Sequence, residues 1–153
     1  MNKYYFHFGD YYGDGHRQYV TICFESPKTK EELQAIILKA EFKHPTFNNW
    51  DTGLAKQYDE PYIGDIAWDE IIELGYSYER FCQFIDDIAF DKYTNWEELK
   101  ANRQLSTIVV NIELIIDIWL FVLNHYGANL TEVVEEKEDN HFDFGYGYGC
   151  FCG

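Results

Sequence analysis

Residues 105–126 read LSTIVVNIELIIDIWLFVLNHY, and this stretch decides the fold. It is too long and too continuously apolar for a strand, and Gly127 follows it as a helix C′ residue would. On a helix at about 100° per residue, Ser106, Glu113, Asp117 and Asn124 fall on one narrow line. Nearly all the rest is Ile, Val, Leu, Phe or Trp. A helix apolar around most of its circumference is covered by neighbours on several sides. The pattern therefore predicts one central helix over 105–126, with Ile108, Ile112, Ile115, Trp119 and Val122 buried. The polar line reads as an exposed stripe. Asn111, opposite it, is predicted to be buried and hydrogen-bonded in the core. The stretch is a poor membrane span. Glu113 and Asp117 would lie near the bilayer centre, at about 2.5 kcal/mol or more for the Asp.

On the N-terminal side, the aromatic and β-branched runs Tyr4–Phe8 and Tyr19–Phe24 flank the turn-rich GDYYGDGH, which predicts a β-hairpin with a long loop. Thr29 and Glu32 have capping-box spacing. Leu33, Ile36, Ile37 and Ala40 then repeat as one helix face to about Phe42, ahead of Pro45. Residues 44–64 read as irregular, with room for a short helix. Trp50, Leu54, Tyr58 and Tyr62 are expected to pin that loop to the core.

A further helix is predicted from an N-cap at Asp65 to a C′ residue at Gly75. Ala67, Trp68, Ile71, Ile72 and Leu74 lie on one half of it, and Asp65, Asp69, Glu70 and Glu73 on the other. Ser77 caps the next helix, with Phe81, Phe84, Ile85 and Ile88 inward and Glu79, Asp86, Asp87 and Asp91 outward. Asn95 and Glu98 repeat the capping spacing, opening either a separate short helix or the run into 105–126. After Gly127, the acidic run Glu132–Asp139 precedes the alternating His141-Phe142-Asp143-Phe144, a candidate edge strand for the hairpin, which needs a third strand to be stable. Residues 145–153 read as a flexible tail or an ordered Gly-Tyr segment.

The fold class predicted is α+β. A small antiparallel sheet, from the N-terminal hairpin with a candidate C-terminal strand, packs on a helical bundle around the central helix. The 153 residues suit a single domain. The opening MNKYYFHFGD has no apolar core of a signal peptide. Cys23, Cys82, Cys150 and Cys152 form no spaced disulfide framework, so a reducing, cytoplasmic setting is expected.

The net charge of −15 is unusual for this length and is unevenly placed. Residues 1–50 hold six acids and six bases. Residues 51–98 hold 13 acids against Lys56, Arg80 and Lys92. Residues 99–131 balance, and 132–153 hold six acids against Lys137. A solvated face that keeps the chain soluble is the plainer reading. Two features argue against it. Like charges four apart, as in Asp65/Asp69 and Asp69/Glu73, cost a helix about 0.2–0.5 kcal/mol per pair. The balanced first 50 residues also show that the acidity is local. Acids four apart are separated by about 6 Å of helix rise, close to the spacing of phosphates along a nucleic-acid strand. Such a face suits a basic partner and repels nucleic acid and acidic membrane.

Sites of chemistry are weakly indicated. His7, His16, His44, His125 and His141 make no H-x-x-x-H pattern. Asp10, Asp14 and His16 do not form an EF-hand loop. Cys150-x-Cys152 cannot alone supply four tetrahedral ligands, so no metal or cofactor is expected. Glu113 and Asp117 are a candidate carboxylate dyad that reads better as part of the exposed stripe. No triad context for nucleophilic catalysis is present.

The expected function is non-enzymatic. The chain reads as an acidic inhibitor of a basic, nucleic-acid-handling protein, with Asp65, Asp69, Glu70, Glu73, Glu79, Asp86, Asp87 and Asp91 as the binding face. The analogy, in charge alone, is to small phage or mobile-element proteins that disarm CRISPR or restriction enzymes by nucleic-acid mimicry. The alternatives are an immunity protein against a basic nuclease toxin, and an enzyme using carboxylate or Cys chemistry without a signature.

Overall fold

A computed structural model of the chain describes residues 1–11, 17–48, 53–54, 62–85, 93–133 and 141–145. The hairpin is longer than its aromatic runs. Strands β1 (Asn2–Tyr11) and β2 (Arg17–Ser26) pair antiparallel from Asn2↔Ser26 to Tyr11↔Arg17. Period-two alternation sorts their side chains. Tyr4, Phe6 and Phe24 enter the main core, with Phe6 and Phe24 edge-to-face at 5.1 Å. Tyr5 and Cys23, cross-strand neighbours on the reverse face, are buried as well.

Two strands from the C-terminal part complete the sheet in the order β3-β2-β1-β4. Strand β3 (Thr131–Val133) pairs antiparallel with β2. Strand β4 (His141–Gly145) is the expected edge strand, but it runs parallel to β1 rather than antiparallel. Val133, Cys23, Tyr5 and His141 stand in one row across the sheet. Thus β4 starts at the level where β3 stops, on the opposite edge, about 14 Å away at three strand spacings.

Five helices are present among the described residues. Helix α1 (Lys30–Lys43) has the expected capping box: the Glu32 N–H donates to Thr29 Oγ1 at 3.2 Å, and the Thr29 N–H donates to Glu32 Oε1 at 3.0 Å. Its Leu33, Ile37 and Ala40 are buried. The short helix anticipated in 44–64 is a 3₁₀ turn at Pro45–Asn48 that buries Phe47. Leu54 is buried there, whereas Trp50 and Tyr58 lie outside the described residues.

Helix α2 (Asp65–Glu73) is capped by Gly64, not Asp65, which is its first helical residue. Gly64 is extended and has no side chain to cap the helix, and the Asp65 carboxylate is left for other donors. The helix ends in a Schellman motif. Gly75 at φ +102° takes the left-handed conformation, its N–H donating to Ile72 O at 3.0 Å and that of Tyr76 to Ile71 O at 3.2 Å. Helix α3 (Tyr78–Cys82) begins at the expected Ser77 cap and is one short turn, so it stops before Phe84, Ile85 and Ile88. Ile88, Asp86, Asp87 and Asp91 lie outside the described residues. Helix α4 (Trp96–Asn102) is separate, with Asn95 Oδ1 accepting from the Glu98 N–H at 2.9 Å.

The predicted continuous helix over 105–126 is broken. Leu105–Thr107 forms a 3₁₀ turn, 108–111 is extended with Val109 bridged to Tyr62, and α5 runs Ile112–His125. Asn111 is exposed and is the N-cap of α5, not a core residue. Its Oδ1 accepts from the Leu114 N–H at 2.8 Å, and its Nδ2 donates to Phe84 O at 2.7 Å. The β-branched Ile108 and Val110 still reach the core at 3% exposure, from extended backbone. Ile115, Trp119 and Val122 are buried as expected, and Ile112 is half-buried. Gly127 at φ +93° closes α5 with a second Schellman pair, to Asn124 O and Leu123 O. Beyond it, Asn124 clasps Leu130 by two hydrogen bonds, and the Ser26 hydroxyl donates to Ala128 O at 2.5 Å, which seats β3 beside β2. No helix among the described residues is long and apolar enough to cross a membrane.

Candidate partner-binding face

Helix α2 presents its acids because Ala67, Trp68 and Ile71 take the buried side. Trp68 packs edge-to-face on Phe81 at 5.5 Å and against Trp96 at 5.5 Å. This aromatic cluster locks the faces of α2, α3 and α4, so Asp65, Asp69 and Glu73, four apart, are directed to solvent.

The structure divides the eight predicted face residues into three groups. Asp65, Asp69 and Glu70 hold neighbouring segments. Asp65 accepts from the Ser106 N–H at 3.1 Å and from Gln104 Nε2 at 2.9 Å. Asp69 forms an ion pair with Lys100 of α4 at 2.8 Å. These contacts border a cavity of about 470 Å³ shared with Arg103 and Leu105. Glu70 is half-buried, accepts from the Thr46 hydroxyl, and lies 3.4 Å from His44 Nδ1. Glu73 and Glu79 are exposed, with no hydrogen bond or ion pair among the described residues. Asp86, Asp87 and Asp91 form the third group, outside the described residues.

His44 joins these parts to α5. A carboxylate only accepts, so His44 Nδ1 donates to Glu70, and Nε2 shares a hydrogen bond of 2.5 Å with the Tyr126 hydroxyl. The ring also stacks on Phe47 at 4.8 Å. Burial, and then the Glu70 charge, push the Tyr126 phenol up from its ordinary range. The hydroxyl therefore stays protonated, which suits a hydrogen-bond donor and not a nucleophile.

The carboxylates of α5 depart from the plain stripe expected of them. Glu113 is exposed, but Asp117 accepts two parallel bonds from Arg80, Nε to Oδ2 at 2.5 Å and Nη2 to Oδ1 at 2.7 Å. Tyr76 donates to the same Oδ2 at 2.6 Å. The guanidinium sits 5.6 Å from the Tyr76 ring centroid and 5.8 Å from that of Phe121. Burial, with the Asp117 hydrogen bond second, pushes the Tyr76 phenol strongly up. The Asp117 hydrogen bond raises the Arg80 pKa against the effect of burial. Nothing local in the sequence signals this trio, because Arg80 and Asp117 meet only through the packing of α3 on α5. Asn124 and Ser106 likewise leave the stripe, one to clasp Leu130 and the other to the turn before α5.

Among the described residues no three of His, Cys, Asp and Glu are grouped to hold a metal ion. Cys23 is buried in β2 and Cys82 is half-buried at the end of α3. Cys150 and Cys152 lie outside the described residues. The chain matches no known protein family, no curated protein and no solved structure.

Proposed function

We propose that this chain is a non-enzymatic acidic inhibitor of a basic, nucleic-acid-handling protein. It acts in the cytoplasm by occupying a phosphate-binding surface, as anti-CRISPR or anti-restriction proteins of phage and mobile elements do. One observation carries the reading. Residues 51–98 hold 13 acids and three bases, and one of those bases, Arg80, is turned onto Asp117 of α5. Its charge is matched there, and Glu73 and Glu79 are exposed with no base paired to them among the described residues. The hydrogen bonds of Asp65 and Glu70 make these two supports of the surface, and Lys100 offsets the charge of Asp69, while the steering charge comes from Glu73, Glu79 and the acids that follow in sequence. A cationic groove binds phosphates mainly through such electrostatics, and an acidic surface competes by the same interaction.

The test uses purified CRISPR and restriction nucleases with a DNA duplex as competitor. The expected result is competition with the duplex, with association that slows as salt rises. Reversing Glu73, Glu79 and Asp87 to Lys should leave the chain folded and abolish that competition. A folded variant that competes as well as the parent at low salt would reduce the acidic side to a solvated surface.

A further inference from the structure

The acids of α2 are only one part of the charged surface. On the other side of Asp117, where α5 lies beside β2 and β3, there is a cavity of about 200 Å³. Its wall is apolar: Ile22 and Phe24 from β2, Phe84 after α3, and Ile112, Ile116 and Leu120 from α5. Three carboxylates, those of Glu113, Asp117 and Glu132, also line it, and among the described residues no Lys, Arg or His does. Asp117 already receives Arg80 and Tyr76. Glu113 and Glu132 are exposed and have no cation among the described residues. Glu132 is directly opposite Phe24 in the β3–β2 register, so both stand on the sheet face that meets α5.

We propose that this cavity is a socket for one arginine side chain of the basic partner. The size decides the class of occupant: small-molecule pockets run to about 300–1,000 Å³, and this one is smaller, suited to a single long side chain. The chemistry decides the side chain. The wall asks for methylenes along its aliphatic side chains and a flat face against the half-buried Phe84, and the rim asks for a cation. A guanidinium on a three-carbon stem supplies both, being weakly hydrated and able to stack on aromatic rings. An aliphatic anchor such as Leu would satisfy the wall and leave the two glutamates unanswered. The proposal takes the basic partner from the function proposed above, but the socket itself is tested without that partner.

The probe is n-butylguanidinium, titrated into the isotope-labelled full chain at fixed ionic strength, with n-butanol and guanidinium alone as controls. Saturable amide shifts are expected at Ile22, Phe24, Ile116 and Glu132. Binding should be roughly three- to tenfold tighter than for n-butanol, the range open to two exposed ion pairs. In the double variant Glu113→Gln/Glu132→Gln, both at exposed positions, that advantage should disappear while n-butanol binds as before. Equal affinity for butanol and butylguanidinium in the parent chain would overturn the proposal. So would an advantage that survives the double variant, or shifts gathered at Glu73 and Glu79. Mimicry by the α2 side and the arginine socket can thus fail separately.

Discussion

Helices α2 and α5 can be compared at one pair of carboxylates a turn apart on each, Asp69/Glu73 and Glu113/Asp117, and in each pair one acid meets a base. The outcomes differ. The Asp69 side chain is 63% exposed in its pair with Lys100, whereas that of Asp117 is 13% exposed in its pair with Arg80. The paired acid is Asp in both and the spacing is the same, so the difference comes from the cation and its surroundings. Tyr76 and Phe121 lie beside the Arg80 guanidinium, Tyr76 adds a third bond to Asp117, and a partly buried pair with two parallel bonds is geometrically fixed. Lys100 reaches Asp69 through water-exposed space, where such a pair contributes about 0–1 kcal/mol. An acid on a helix face is thus structural or available for a partner according to which cation it meets and what brackets that cation.

The largest expected effect separates the apolar sides of the same two helices. Ile115 of α5 is fully buried and Ile66 of α2 is 53% exposed. Ile115→Ala should cost about 2–5 kcal/mol and Ile66→Ala about 0.5 kcal/mol or less, read from denaturant midpoints. Similar losses would erase the contrast between a core helix and a surface one. The acids come next. Asp117→Ala strands a partly buried guanidinium and a buried phenol, so a loss of about 2 kcal/mol is expected, against less than about 1 kcal/mol for Asp69→Ala. Adding 0.5 M salt should remove the Asp69 effect and leave that of Asp117.

The smallest effect sharpens the reason for the difference. Tyr76→Phe removes one donor to Asp117 and should cost about 1 kcal/mol at neutral pH. Its pH signature has a defined sign. The folded-state pKa of Tyr76 is raised, so above the unfolded value near 10 the unfolded chain releases this proton and the folded chain keeps it. Stability then falls with rising pH, by at most about 1.4 kcal/mol per unit from this group. The variant should show a shallower alkaline decline, and an unchanged slope would mean that Tyr76 is not the group held protonated.

Most local signals in the sequence held, with the Asp65 cap of α2 as the exception. The Thr29/Glu32 box, the Ser77 and Asn95 caps, and the glycines closing α2 and α5 each act within one turn, and each is found. The aromatic hairpin and the edge strand near His141 followed from alternation. The break at 108–111 was hidden, because Thr107-Ile108-Val109-Val110 is as apolar as the helix after it and contains no Pro or Gly. Buried extended backbone and buried helix look alike by composition. The available clue was Asn111, a good N-cap residue three positions before Leu114, preceded by a β-branched run. For the candidate site, the exposure of Asp65, Asp69, Glu73 and Glu79 was legible from helix periodicity. Their partners were not. Lys100, Gln104 and the Ser106 N–H reach α2 only because α4 and the turn after it pack there, as His44 and Thr46 reach Glu70 from the end of α1.

The single row Val133–Cys23–Tyr5–His141 has a kinetic consequence. The hairpin can form early from neighbours in sequence, but a two-stranded hairpin is marginal alone. Both edges that would hold it arrive from the far end of the chain, β3 beside β2 and β4 beside β1. Pairing residues so distant in sequence closes large loops before any contact rewards the closure, which slows folding. During synthesis the helices can therefore collapse first around α5, with the sheet completed only once β4 has left the ribosome. Until that moment the β1 edge that β4 will cover stays open, and the nascent chain is at its most vulnerable to pairing with another copy of itself.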